Sequence, residues 1–140
     1  MRSSILILSI LLTPQLNLTA QAPQLPPAVS AGLEAYKQGG ASAALATWLK
    51  GSAIPQETSP ATRAAFEQIE GAYGHFTGYD VLRVVPFGPH VVRSYVVILY
   101  EGGAVYAWFD SYKGGEHWIL TQFLFNTKPD VILPPSMLAP

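Results

Sequence analysis

With 140 residues, 49% of them hydrophobic and 12% charged, the chain has enough apolar material for one compact domain and too little length for two. A formal net charge of −1, with no run of Lys or Arg, speaks against nucleic acid as a partner. The absence of cysteine excludes a disulfide framework, a thiolate metal site and a cysteine nucleophile.

Arg2, the run Ile5 to Leu12 broken only by Ser9, and the small residues Ala20 and Ala22 predict a secretory signal peptide over residues 1–20. Pro14, Gln15 and Asn17 interrupt the run, whereas a spanning helix needs roughly 20 predominantly apolar residues. Cleavage after Ala20 is favoured, because cutting after Ala22 leaves Pro23 at the new N-terminus. The expected location is periplasmic or secreted, and the mature part contains no further run able to span a bilayer.

Residues 21–28 form a Pro-rich lead-in, residues 29–128 a single domain, and residues 129–140 a Pro-rich tail placed across the sheet edge. Val29, Leu33 and Tyr36 recur at helical spacing until Gly39-Gly40, which predicts a short first helix. Leu45, Trp48 and Leu49 mark a second, ended by Gly51 in the position that favours a left-handed cap. Ser59-Pro60 starts a third, since Ser caps free N–H groups and Pro at the first position loses no hydrogen bond. Ala65, Phe66, Ile69, Ala72 and Tyr73 carry its period.

After Gly78 the period falls to two. Tyr79–Val85, Val91–Glu101, Ala104–Lys113 and Glu116–Asn126 are predicted as four strands of an antiparallel meander. The class is therefore α+β, with three N-terminal helices packed on a curved four-stranded sheet.

If Gly102-Gly103 and Gly114-Gly115 are two-residue hairpin loops, counting fixes the register. Tyr95 then faces Asp110, Arg93 faces Tyr112, Tyr112 faces His117, and Tyr106 faces Phe123. One face holds the aromatic residues Tyr106, Trp108, Phe123 and Phe125, with Arg93, Tyr95, Asp110, Tyr112 and His117 towards one end. The other is more aliphatic, with Val96, Ile98, Ala107, Phe109 and Leu120. Three short helices cannot cover both faces. They are assigned here to the aromatic one, which leaves the aliphatic one, centred on Ala107, for a second copy of the chain.

The polar end of the aromatic face offers Asp110 and His117 as a catalytic acid–base pair, with Arg93, Tyr95, Tyr106, Trp108, Tyr112 and Phe123 as pocket residues. The competing reading is a solvated sheet end in which Arg93 satisfies Asp110. His75, His90 and His117 lie in different elements without metal-ligand spacing, so no metal and no cofactor is expected.

The element order, with stretches such as FEQIEGAYGHFTGYDVL (Phe66 to Leu82) and GGEHWILTQFLFN (Gly114 to Asn126), resembles the NTF2-like superfamily, an NTF2-like/cystatin-like layout over Ala31 to Asn126. The resemblance implies a pocket between the inner sheet face and the helix ends, and dimerisation through the outer face. It implies no catalytic residue, because none can be matched position by position, and it departs where such folds place a strand among the helices. The functional expectation is an exported, non-enzymatic interaction or dimerisation module. The alternative is a small apolar-ligand binder or an acid–base isomerase or lyase.

Overall fold

The computed structural model describes residues 23–56 and 59–139. The predicted signal peptide lies outside them. Helix α1 spans Pro27–Leu49, α2 Ser59–Tyr73, and the strands are β1 (Phe76–Pro86), β2 (Val91–Tyr100), β3 (Gly103–Gly114) and β4 (His117–Asn126). Two one-turn helices, α3 (Pro129–Ile132) and α4 (Pro135–Leu138), close the chain. The fold is α+β, but with two long N-terminal helices rather than three.

The difference lies at Gly39-Gly40. Helix α1 is interrupted at this pair by non-helical angles, Gly40 at φ 71°, a conformation that L side chains resist, so the expected stop at Gly39-Gly40 appears as a kink between two helical segments of α1. Trp48 Nε1 donates to the carbonyl of Val29 at 3.1 Å. In a straight helix those residues would stand about 28 Å apart at ~1.5 Å per residue. The two halves therefore fold back on each other, and Gly32 supplies the space in which the Trp48 indole lies. Gly51, at φ 68°, takes the left-handed conformation that its position after α1 suggests.

The sheet order is β1-β2-β3-β4, antiparallel throughout. Tyr100 pairs with Gly103 and Gly114 with His117, so the hairpin loops are Glu101-Gly102 and Gly115-Glu116 rather than the two Gly-Gly pairs. Close approach explains part of the shift: a side chain at Gly103 would meet the Tyr73 ring. The register of both hairpins slips by two residues, which leaves each side chain on its expected face.

A bulge then changes the second hairpin. Ser111 pairs with Leu120 but Asp110 pairs with Gln122, leaving Thr121 as the extra residue. One inserted residue reverses the parity beyond it. Phe123 and Phe125 consequently join Phe109 and Ala107 on the inner face, not Tyr106 and Trp108 on the outer one.

The helices cover that inner, aliphatic face, contrary to the sequence assignment. Val29, Leu33, Tyr36, Leu45, Trp48 and Phe66 pack with Val96, Ile98, Ala107, Phe109 and Leu120 in one buried cluster. Ala107 is 1% exposed, so a dimer contact centred on it is ruled out. The outer face is met by the chain's own tail. Ile132 and Leu133 are buried with Tyr95, and Val85, Tyr106, Trp108 and Met137 pack around them. The tail thus lies across a sheet face, not across an edge, because its apolar residues find their largest unfilled surface there. Among the described residues no helix is long and apolar enough to cross a membrane.

Candidate functional site

Besides a hollow of about 510 Å³ between residues 23–30 and Tyr79 and Val81 of β1, three places among the described residues combine polar chemistry or open space with defined geometry. The first is the polar end of the outer face. Arg93 sits directly opposite Asp110, not diagonally, and its Nε and Nη2 each donate to one carboxylate oxygen at 2.7 Å. The guanidinium carbon stands 4.3 Å from the centroid of the Trp108 ring. This two-pronged hydrogen bond to Asp110 raises the Arg93 pKa above its already high ordinary value. A planar fork on an aromatic face is the arrangement Arg makes best.

His117 pairs with Gly114, four residues along β3 from Asp110, about 13 Å at ~3.3 Å per residue. It is exposed, and the structure does not bring it to Asp110. Tyr112 pairs with Ile119 instead of His117 and is 44% exposed. Of the predicted pocket residues, Arg93, Tyr95, Tyr106 and Trp108 come together. Phe123 faces the other way, and Ile132, Leu133 and Met137 pack over the group.

The second place is a hydrogen-bond chain that joins both helices to the sheet. The Tyr36 hydroxyl donates to Glu70 Oε1 at 2.7 Å and lies 3.0 Å from the Tyr100 hydroxyl. Since Tyr36 has one proton and spends it on Glu70, Tyr100 must donate to Tyr36. A cleft of about 220 Å³ lined by Tyr36, Lys37, Gly40, Glu70, His75 and Phe76 adjoins the chain. Burial, followed by the bond to Tyr100, raises the Tyr36 pKa, and burial pushes Tyr100 up to about 12.

These shifts have a sign that can be measured. An unfolded phenol ionises near 10, so between pH 10 and 12 the folded chain keeps protons that the unfolded chain gives up. Stability is therefore fully present below pH 10 and declines as pH rises through the folded value. For Tyr100 the loss is about 2–3 kcal/mol at ~1.36 kcal/mol per pH unit. Urea midpoints at pH 9 and pH 11.5 should fall steeply in the wild type and less steeply in a Tyr36→Phe, Tyr100→Phe double variant. Equal slopes would show that the two phenols are not held in this way.

The third place is the seam between α2 and β4. A cavity of about 430 Å³ is lined by Ile54, Pro55, Thr62 and the strand residues Thr121 to Phe125. A second hollow of about 340 Å³ meets it at Phe125 and is lined by Ala65, Gln68, Ile69, Ala72 and Tyr73 of α2. Together they form a groove beside an edge strand. The carbonyl of Leu120 accepts from Ala53 N at 3.0 Å, so the loop after α1 caps the first half of that edge. The remaining half, from Gln122 to Asn126, lies beyond this cap.

The chain matches no known family model, no curated protein and no solved structure. The functional reading rests on its own geometry.

Sequence reasoning missed the seam because the bulge at Thr121 hid the inward turn of Phe123 and Phe125. One signal was present: His117 to Asn126 contains no Lys, Arg, Asp or Glu. The Tyr36–Glu70–Tyr100 chain left no comparable trace, since its members are 34 and 30 residues apart in sequence.

Proposed function

We propose that this is an exported, non-enzymatic association module that takes up an extended polypeptide segment along the open half of β4. The observation that carries the reading is the contrast between the two sheet edges. β1 holds Asp80, Arg83, Gly78 and Pro86 and has two register breaks, the devices that keep an edge from pairing. β4 is uncharged along its length, and Leu124 is 44% exposed. An unguarded edge offers backbone donors and acceptors to an added strand, while the groove beside it receives side chains.

Catalysis at Asp110 is the weaker reading. Both of its oxygens already accept from Arg93, and the tail packs over its neighbours. The NTF2-like resemblance stands as a proposal supported by the order of helices and strands. The apolar lining of the 430 Å³ cavity favours a second reading, a small apolar ligand held by Ile54, Pro55 and Phe123.

A labelled peptide of alternating Thr and Val tests the edge. Binding with a Kd of about 100 µM or tighter is expected, with new amide-exchange protection in Gln122–Asn126 and none in Phe76–Pro86. No saturable protection, or protection on β1, would overturn the reading. Cavity uptake of a naphthalene probe without strand binding would favour the small ligand instead.

A further inference from the structure

The open half of β4 has a specific occupant. We infer that it pairs antiparallel with the same segment of a second copy, about a two-fold axis at Phe123, so that two four-stranded sheets join into one. This rests on the edge reading above and adds the identity of the partner.

The charge pattern of β4 suits pairing with itself. In an isologous antiparallel pair each residue faces its mirror position, so any charged residue near the axis meets a like charge or needs its opposite at the mirror position. From His117 to Asn126 there is no formal charge to arrange. Gln122 faces Leu124 of the partner subunit, Thr121 faces Phe125 of the partner subunit, and Phe123 faces its own copy. Phe125 stays stacked on Phe66 of its own chain, with ring centroids 4.3 Å apart, so the contact is made by the strand backbones and by the exposed Gln122 and Leu124.

The two unlike edges of the sheet also allow such an assembly to close. Edge-to-edge pairing normally risks open-ended assembly, because each added copy presents another free edge. Here the opposite edge, β1, is guarded by Asp80, Arg83, Pro86 and two breaks in register. One two-fold contact uses the unguarded edges of both copies, and assembly stops at the dimer. The capping of Leu120 by Ala53 limits the contact to a short segment, so the association is weak.

Sedimentation of the exported protein between about 10 µM and 1 mM should show a monomer–dimer equilibrium with a Kd of roughly 10–100 µM, in keeping with a small contact. Gln122 and Leu124 are both exposed, so charges there spare the fold, which circular dichroism verifies. A Gln122→Lys, Leu124→Lys double variant opposes ammonium groups across the axis and should raise the Kd at least tenfold. Gln122→Lys with Leu124→Glu opposes unlike charges in the same register and should stay within about threefold of wild type. A wild type that is monomeric at 1 mM but still takes up the Thr-Val peptide would overturn the second-copy inference and leave the edge reading standing. A protein that neither pairs nor takes up the peptide would overturn both, and equal dimerisation of all three proteins would refute this register.

Discussion

Trp48→Ala should lower the stability of the fold by about 3–5 kcal/mol, the range for truncating a buried Trp. Trp48 is 2% exposed and packs against Phe66, Phe109 and Phe123. Its indole also occupies the space over Gly32 and donates to Val29. It is therefore the contact that holds the two halves of α1 together as well as the centre of the core. Gly32→Ala attacks the same contact from the other side, because a methyl there would overlap the indole, and should cost about 1–3 kcal/mol by overpacking. The double variant gives the sharper result. With the indole gone, the helix preference of Ala over Gly, about 1 kcal/mol, is no longer opposed. Gly32→Ala should then change from destabilising to neutral or stabilising. Denaturant midpoints of the four proteins measure the cycle. Additive effects would mean that Gly32 and Trp48 do not meet, and that α1 is not folded back at Gly40.

The helices and strands were legible because their signals are local. Gly51, Ser59-Pro60 and the change of period after Gly78 each act within a few residues. The seam was not, because a single inserted residue decides it. Thr121 carries no mark of a bulge; its hydroxyl donates to the Asp110 carbonyl at 3.2 Å, a partner visible only once β3 lies alongside. Without the bulge, alternation assigns Phe123 and Phe125 to the wrong face and makes the outer one appear the larger aromatic surface. The choice of face for the helices followed from that error. The Arg93–Asp110 contact survived it because both residues precede the bulge and a slip of two preserves the face.

Deleting the tail after Thr127 should expose the face that it covers. The sequence places two apolar faces on one sheet, and the inner helices leave the outer one to Ile132, Leu133 and Met137. Ile132 and Leu133 are 5% and 8% exposed, and burial of such side chains contributes roughly 1.5–3 kcal/mol each. Ordering the tail opposes this, but Pro129, Pro134 and Pro135 restrict the unfolded chain and reduce that cost. Among the described residues, the backbone hydrogen bonds of the tail, such as Leu133 N to Pro129 O, stay within it, so side-chain burial is what attaches it. A net loss of about 2–4 kcal/mol is expected from the truncation. Trp108 fluorescence should shift to the red, a dye that reports apolar surface should bind, and the Arg93–Asp110 fork should become sensitive to salt as water reaches it. Leu133→Asp in the full chain should reproduce most of the loss. Val131→Asp, at a site 49% exposed, should stay within about 0.5 kcal/mol of wild type. Equal stability of the Leu133 and Val131 variants would show that the tail does not rest on the sheet, and the outer face would again be free for another occupant.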